Sequence, residues 1–431
     1  MATILIRINR FMKSVDEIHD ERLKRTFEDF YWFLYRLSGF VCQITPFSNL
    51  AFSLFRNSIL VITFVWHLIL FVFTMPLILN EPHLIIRNVH FTLFISFSLT
   101  MFIWFTYQRN RVIRSHWQIT NGFHKYGKEG DLVTAKLVKD FRRTYIVSLS
   151  ILPVIICSSA VFMFFSTAID QATGAPPLED PGNGVDVFLP LVLWYPWDVK
   201  RWHLFQLAHE LLLALYVGII ISTSDLIFVN LVYTVCIQLN LLLLSVKKIE
   251  QRSLRKFKEL YPTEKPIVNY DDEKFMICYE ICLRKNIEHH QNLSRFFSYI
   301  VPLGDLPIFC AFGMEAIVLG MSALDLVTGG ERIGDMILNI MLCCAEVANM
   351  AVLCWYGQRV INLSMEVHDA MYSTKWYLCK REVTNVMKIV QVRTLKPWVV
   401  MGGIWPCNLA SFQAVMNTAY SYFNLLVAFR E

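Results

Sequence analysis

The sequence predicts an all-α membrane protein with seven transmembrane helices, a cytosolic N-terminus, an extracellular C-terminus and a cytosolic helical anchor region. Composition is the first observation, since 55% of the 431 residues are hydrophobic and only 17% are charged. Soluble domains are usually about 45–50% apolar and about 25% charged, so the excess apolar surface has to face lipid. The other two observations are apolar runs of transmembrane length and basic residues grouped between them.

Seven apolar runs are long enough to cross a bilayer, whose core needs roughly 20 apolar residues per helix. Residues 1–57 carry mixed charges and aromatic side chains and are predicted to be a cytosolic segment, so the first run has to serve as the insertion signal. The formal net charge of +5 does not indicate nucleic-acid binding, because the basic residues lie in loops between the runs. The predicted spans are residues 58–79, 89–107, 144–168, 204–222, 296–321, 335–357 and 406–429.

The distribution of Lys and Arg sets the predicted orientation, because basic residues favour cytosolic loops. They concentrate at 109–143, 247–285 and 359–396. The resulting orientation is opposite to that of G-protein-coupled receptors, and neither an Asp-Arg-Tyr at the third span nor an Asn-Pro-x-x-Tyr at the seventh is present. The predicted outer segments carry only five basic residues: Arg87, Lys200, Arg201, Arg332 and Arg430.

The fourth run is the ambiguous one, because no Lys or Arg occurs from 203 to 246, which is long enough for two spans. A hairpin broken near 222–225 would place the basic block at 247–285 outside the cell, so one long helix is predicted. Its later half carries a polar stripe at i, i+4 spacing that would be costly against lipid. We therefore expect this helix to leave the membrane and to pack with cytosolic helices through Asn230, Thr234 and Gln238.

Acidic residues within or beside the spans are open to a functional and to a structural interpretation. Asp305 lies between Gly304 and Pro307, where a break in the fifth helix would need a partner for the backbone. Glu346 has no basic partner in the sequence, which predicts a protonated carboxyl group or one that faces a cavity. The four residues are Asp225, Asp305, Glu315 and Glu346.

The last apolar run is interrupted by Gly402, Gly403 and Pro406. It predicts a short cytosolic helix at 383–393, a break, and a spanning helix that starts near Pro406, because proline suits the first turn of a helix. One line of this helix, at 3-4 spacing, is small or hydroxylated and ends in a bulkier apolar residue: Ser411, Ala414, Thr418, Ser421, Leu425 and Ala428. A second line on the neighbouring face is polar: Gln413, Asn417, Tyr420 and Asn424.

Two interpretations of these polar lines stay open. In the first, the small and polar side chains pack and hydrogen-bond against neighbouring helices. In the second, copies of the helix surround a water-filled pore, with Leu425 and Phe429 as a hydrophobic gate that opens by wetting.

Catalysis and metal binding are not indicated. Cys278 and Cys282 lie four residues apart with no second pair of ligands, so no metal site is predicted, and no cofactor is implied. None of the eleven cysteines lies in a segment predicted to be outside, so we expect no disulfide framework. The sequence has no paired carboxylates on a soluble face, no Gly-rich phosphate loop and no Ser-His-Asp set, and we do not expect an enzyme.

The C-terminal residues resemble the signature of the insect odorant receptors. The matching stretches are YSTKWY at 372–377, LKP at 395–397, GGIWPCNLASF at 402–412 and TAYSYFNLL at 418–426. Ala419 stands where that family usually has Ser. The strong match covers roughly the last 60 residues, and the rest of the chain agrees in length, span count and orientation.

This resemblance implies an odorant-gated, non-selective cation channel in the plasma membrane of sensory neurons. It implies a heterotetramer with a common co-receptor subunit and one central pore lined by the seventh helix, with Leu425 and Phe429 at the family's gate positions. The co-receptor has a long insertion in its second cytosolic loop. That loop, at 247–289, is short in this chain, which makes the chain similar to an odorant-tuning subunit.

The resemblance also implies a pocket for a small volatile molecule in the outer half of the bundle, between spans two, three, four and six. An aromatic and aliphatic lining with a few polar groups suits such a ligand. For each residue the alternative is ordinary helix packing, which we expect for His90 and His209 in particular. The candidates are His90, Phe91, Phe94, Ser158, Val161, Phe162, His209, Leu212, Leu213, Tyr216, Ile340, Met341 and Cys344.

The predicted organisation is a cytosolic segment at 1–57, helices one to six with the pocket at 58–382, and a cytosolic helix plus the pore-lining helix at 383–431. The outer loop at 167–203 ends in aromatic residues that favour an interfacial belt, and also a lid over the pocket. A gustatory-type receptor of the same superfamily is the alternative, and it would need no co-receptor. A secondary transporter would show paired repeats with broken helices, which the sequence lacks.

Overall fold

The structure, a computed structural model, describes residues 50–79, 82–121, 154, 158–159, 161–166, 168–174, 184–186, 189–328 and 332–428. In these residues the helices are α1 (Leu50–Thr74), α2 (Pro82–Tyr107), α3 (Arg109–Asn121), α4 (His203–Lys247), α5 (Ile249–Leu260), α6 (Glu273–Thr328), α7 (Ile333–Tyr372), α8 (Arg381–Thr394) and α9 (Leu409–Ala428). Short 3₁₀ turns lie at Met75–Leu77 and Trp376–Leu378. Two short strands pair antiparallel, β1 (Met401–Gly402) and β2 (Trp405–Pro406).

The predicted all-α membrane fold is confirmed. Five of the described helices are long and apolar enough to cross a membrane, namely α1, α2, α4, α6 and α7. Residues 1–49 of the predicted cytosolic segment at 1–57, and most of the third span, lie outside the described residues, although 161–166 and 168–172 are helical. The 20-residue α9 is long enough to span but is not among the five, because its polar residues lower its hydropathy.

Three helices are much longer than a bilayer requires. The helices α4, α6 and α7 contain 45, 56 and 40 residues. At 1.5 Å per residue these are about 68, 84 and 60 Å, against a hydrocarbon core of about 30 Å. The predicted single helix is confirmed, since α4 runs unbroken through 222–225.

The polar stripe of α4 is largely buried, and its Gln238 hydrogen-bonds α6, in line with the predicted packing against other helices. The side chains of Asn230 and Thr234 are buried. His289 Nε2 lies 3.0 Å from Gln238 Oε1. About two turns further along α4, Ser245 Oγ donates to Asn286 Oδ1 of α6 at 2.5 Å. The long extensions of α4 and α6 are therefore joined by hydrogen bonds as well as by apolar contacts.

The fifth predicted span does not break at Asp305, because α6 continues through Pro302 and Pro307. A proline removes the amide that would donate to the carbonyl four residues earlier. The carbonyl left free by Pro307 is that of Leu303, and Trp104 Nε1 donates to it at 2.9 Å. The backbone partner that the proline removes is thus replaced by an indole from α2.

The pore-helix candidate begins three residues later than predicted. Pro406 lies in β2 opposite Met401, whereas α9 begins at Leu409. The Ser411 amide donates to Asn408 Oδ1 at 2.8 Å, which satisfies one of the free amides at the start of α9. The start of α9 is therefore set by the side chain of Asn408, which caps the helix, and not by Pro406. The short cytosolic helix predicted at 383–393 is present as α8.

Candidate functional site

A cavity opens between α2, the helical residues 158–159 and 161–166, α4 and α7. The cavity volume is about 70 Å³, which is room for about five or six water-sized groups at ~10–15 Å³ each. Such a cavity fits a small molecule. Its lining is mainly apolar and consists of Phe91, Phe94, Ile95, Ser159, Met163, Leu191, Leu213, Ala214, Val217, Gly218, Ile221, Leu338, Leu342, Ala345, Glu346 and Asn349.

One end of the cavity, which we call the floor, is polar. Glu346 and Asn349 lie about one turn apart on α7 and both contribute to the lining. The Asn349 side chain hydrogen-bonds Asp225 of α4, but its Oδ1 atom is buried with no partner in the described part of the chain. Glu315 of α6 lies close enough to Glu346 and Asp225 to interact with them electrostatically. Three acidic side chains from three helices therefore meet at or behind the floor.

The other end of the cavity is closed by Leu191 of the outer loop. A fully buried carboxylate, Glu210 of α4, holds this loop. Glu210 accepts hydrogen bonds from the Leu191 amide at 2.9 Å, the Tyr195 hydroxyl at 3.0 Å and Gln206 Nε2 at 3.2 Å. The carboxylate therefore ties the loop to the helix that lines the cavity.

The first two helices hold the same loop at two more points. Trp194 N donates to Thr74 Oγ1 at 2.7 Å, and Asn88 Nδ2 donates to the Val192 carbonyl at 2.7 Å. We call residues 189–199 the lid. Within the lid, Tyr195 is buried whereas Trp197 is 39% exposed. The interfacial belt and the cover over the pocket both stay predictions for this segment.

Three of the thirteen predicted ligand residues line the cavity, namely Phe91, Phe94 and Leu213. Several of the others lie on the outer surface of the bundle, and Leu212, for example, is 60% exposed. The predicted residues that do not line the cavity are His90, Ser158, Val161, Phe162, His209, Leu212, Tyr216, Ile340, Met341 and Cys344.

Five of the predicted residues that do not line the cavity are followed directly in the sequence by a residue outside the predicted set that does. A step of one residue turns a side chain by about 100° around the helix axis, given 3.6 residues per turn. The cavity therefore receives the neighbours of several predicted residues. These neighbours are Ser159, Met163, Val217, Leu342 and Ala345.

The two candidate histidines pack against other rings. His90 is buried and stacks on Phe94, with ring centroids 5.0 Å apart. His209 stacks on His67 at 5.2 Å. Both agree with the expectation of a packing role, and His90 supports the cavity wall through Phe94. The sequence did not indicate Asn349 or the lid residue Leu191 as cavity residues. Glu346 does line the cavity, which is one of the two alternatives predicted for it.

The helix α9 packs through one face only. Ala419 is buried, and a Cβ on Gly320 of α6 would lie 3.3 Å from the Ala419 carbonyl oxygen. The opposite face is not covered by the other helices that the structure describes. The exposed residues on it are Ala410, Gln413, Ala414, Asn417, Thr418, Ser421, Asn424, Leu425 and Ala428, which we call the open face.

Most of the predicted pore line belongs to this open face. Thr418 and Ser421 are exposed, and Leu425 is 51% exposed, whereas Ser411 is half-buried. The hydroxyls bond to their own helix, Thr418 Oγ1 to the Ala414 carbonyl at 2.8 Å and Ser421 Oγ to the Asn417 carbonyl at 2.9 Å. The predicted gate residue Phe429 lies outside the described residues.

Most of the chain matches a known protein family. Residues 81–420 match the family model described as "7tm Odorant receptor". The chain is similar to odorant receptor 67c of Drosophila melanogaster, at 23% identity over 253 residues that make up 56% of each chain. It is also similar to odorant receptor Or2 of Anopheles gambiae, at 27% identity over 148 residues, 33% of this chain and 38% of that receptor. The matched segments thus span about half of the first relative's length, and less of the second's.

The fold is similar to that of solved insect receptors. The olfactory receptor OR5 of Machilis hrabei, solved in complex with eugenol, superposes with a TM-score of 0.70 at 14% identity, over 94% of this chain and 99% of that one. A second structure of that receptor superposes with a TM-score of 0.69, over 93% of this chain and 98% of that one. At this level of identity the likeness concerns the fold.

Proposed function

The chain belongs to the 7tm odorant receptor family, and from that membership we propose that it is an odorant-gated, non-selective cation channel subunit in the plasma membrane of sensory neurons. The observation that carries the proposal is the open face of α9. Amides and hydroxyls on a spanning helix are costly against lipid and need water or protein beside them. Copies of α9 that meet along this face would enclose a polar pore. This function requires ligand binding and gating, and no catalysis.

The gate is proposed at the apolar end of the open face. Leu425 is the large apolar side chain that follows the hydroxyl residues Thr418 and Ser421 along this face. A ring of such side chains, joined by Phe429, would close the pore by excluding water and open it when the ring widens.

The helix α7 is proposed to couple the cavity to the pore. It supplies Leu338, Leu342, Ala345 and other residues to the cavity wall. Further along the same helix, a Cβ on Gly357 would lie 2.0 Å from the Cys407 carbonyl oxygen, just before α9 begins. A ligand that binds more tightly when α7 is displaced would therefore favour a displaced α9, which is the energetic requirement for gating.

The second cytosolic loop supports an odorant-tuning role. The helix α5 ends at Leu260 and α6 begins at Glu273, so only residues 261–272 separate them. A chain without the long co-receptor insertion is proposed to pair with a co-receptor subunit in a heterotetramer. In this arrangement residues 58–382 bind the odorant and residues 383–431 form the anchor helix and the pore.

Heterologous expression with and without a co-receptor subunit tests the proposal. We expect odorant-evoked cation current only when both subunits are present. Thr418→Cys and Ser421→Cys should react with a permeant thiol reagent faster in the presence of odorant, with Ala419→Cys on the packed face as the matched control. Equal and state-independent reactivity of all three positions would contradict a pore along the open face.

The gate has its own test in the same recordings. Leu425→Ala should raise the current without odorant, because a smaller side chain no longer excludes water from the closed pore. Unchanged basal current and unchanged ion selectivity in Leu425→Ala and Phe429→Ala would contradict the gate. Odorant-evoked current from the chain alone would favour the gustatory-type alternative.

A further inference from the structure

The floor of the cavity holds hydrogen-bond acceptors that no donor in the described residues satisfies. Asn349 is 6% exposed, lines the cavity, and its Oδ1 has no partner. Glu346 is 8% exposed and lines the cavity beside it. Behind them, Asp225 Oδ2 and Glu315 Oε2 are also buried without a partner. Buried polar groups are nearly always hydrogen-bonded, so this group of oxygens is incomplete without a donor.

The acidic groups at the floor have no nearby cation in the described part of the chain. Three carboxyl groups approach one another from α4, α6 and α7, and none of the described residues that line the cavity is Lys or Arg. A carboxylate removed from water without a counter-ion costs several kcal/mol, so such a group is held in its neutral, protonated form until a cation reaches it. A ligand that brings a positive charge into the cavity would supply the missing counter-ion, and its N–H groups would supply the missing donors.

We propose that the cavity is selective for small primary amines in their protonated form, with the ammonium group on Glu346 and Asn349. The carbon skeleton would lie against Phe91, Phe94 and Met163. This inference rests on the proposed function, since it names the ligand class of the same cavity. The cavity volume of about 70 Å³ suits a skeleton of about six heavy atoms, at ~10–15 Å³ for each water-sized group.

An amine fits the floor better than the corresponding alcohol or hydrocarbon. An ammonium group carries three donors and a full charge, and its hydrogen bonds to a carboxylate are the stronger, charge-assisted kind. A hydroxyl group offers one donor and no charge, so it leaves the second acceptor without a partner. A methyl group at the same place offers neither and would leave Glu346 and Asn349 facing apolar surface.

A matched set of three ligands tests the selectivity by direct binding. The set is isoamylamine, isoamyl alcohol and 2-methylpentane, which share a branched chain and differ in the terminal group. Binding to the purified full-length protein in detergent is followed through ligand-dependent shifts of the thermal unfolding curve. We expect an apparent dissociation constant at least tenfold lower for the amine than for the alcohol at neutral pH. Equal affinities, or tighter binding of the alcohol, would overturn the proposal.

Substitution of the floor carboxyl group assigns the selectivity to this site. Glu346→Gln keeps the size and removes the charge, so amine binding should weaken at least tenfold while alcohol binding changes less than threefold. Glu366→Gln, on an exposed position of the same helix, is the matched control and should leave both affinities unchanged. An equal loss for amine and alcohol in Glu346→Gln would contradict the proposal. The ligand ranking of the unsubstituted protein decides the case if this variant does not fold.

Current recordings separate this inference from the proposed function. The same three ligands are applied to cells that express the chain with a co-receptor subunit. Current evoked by the alcohol or hydrocarbon but not by the amine would contradict the inference and leave the channel function standing. Amine binding that is lost in Glu346→Gln, together with no current from any ligand, would contradict the channel function and leave the site standing.

Discussion

The cavity floor and the open face of α9 place polar groups within the membrane in opposite ways. At the floor, Asn349 Oδ1, Asp225 Oδ2 and Glu315 Oε2 are buried and have no hydrogen-bond partner among the described residues. On the open face, the Thr418 and Ser421 hydroxyls are exposed and donate to carbonyls of their own helix. The floor therefore lacks partners among the described residues, whereas the Thr418 and Ser421 hydroxyls already have hydrogen bonds.

The energetic consequence is that similar substitutions should differ between the two regions. Leaving a buried donor or acceptor unsatisfied costs about 1–3 kcal/mol, whereas most exposed substitutions change stability by less than about 0.5 kcal/mol. Substitutions that remove a hydrogen-bond partner at the lid should therefore lower stability. Substitutions on the open face should alter conduction and leave stability almost unchanged.

The largest effect is expected at Glu210, which anchors the lid. Glu210→Ala removes the acceptor of three hydrogen bonds, from Leu191, Tyr195 and Gln206. We expect the free energy of unfolding to fall by roughly 3–5 kcal/mol, since each donor left without a partner costs about 1–3 kcal/mol. Thermal unfolding of the purified protein measures this. Glu366→Ala, on an exposed position of α7, is the control, and an equal loss in both variants would contradict the lid's dependence on Glu210.

A smaller loss of stability is expected from a substitution in the cavity wall. Met163 is 1% exposed and lines the cavity. Met163→Ala should lower the free energy of unfolding by about 2–3 kcal/mol, near the lower end for buried truncations because the site already borders empty space. The same variant should bind ligands one or two carbons longer, which a ligand series would measure. Met365→Ala, at an exposed position, should show neither effect.

The hydrogen bond from Trp104 to the Leu303 carbonyl of α6 should make an intermediate contribution to stability. Trp104→Phe removes the indole that donates to the Leu303 carbonyl freed by Pro307. We expect a loss of about 1–2 kcal/mol in unfolding free energy, because that carbonyl then has no donor within α6. Trp66→Phe on α1 is the matched control, since Trp66 is 37% exposed. A loss that is equal in both variants would mean that ring size rather than the hydrogen bond matters.

The smallest change in stability is expected on the open face. Thr418→Val keeps the shape of the side chain and should change the free energy of unfolding by less than about 0.5 kcal/mol, while single-channel conductance falls. Thr74→Val is the matched substitution at the lid, where the hydroxyl accepts from the Trp194 amide at 2.7 Å. Its expected cost is about 1–3 kcal/mol, because that amide loses its partner. The comparison between the two regions fails if the two Thr→Val variants are equally destabilising.

The sequence by itself determined the features that depend on local pattern. The absence of Lys and Arg from 203 to 246, together with the basic block that follows, is enough to predict the single helix α4. The repeat of small and hydroxylated residues at 3-4 spacing likewise predicts which face of α9 is distinct. Both signals lie within one segment, and the spacing alone gives the side of the helix on which residues such as Thr418 and Leu425 fall.

Only the tertiary structure decided which faces of α4 and α7 border the cavity. Both helices are apolar on nearly all sides within the membrane, so their sequences do not fix the rotation about the helix axis. Packing against neighbouring helices sets that rotation and places Leu342 at the cavity instead of Met341. Convergence of Asp225, Glu315 and Glu346 is likewise a tertiary property, because the three residues come from three helices and are brought together only when those helices pack.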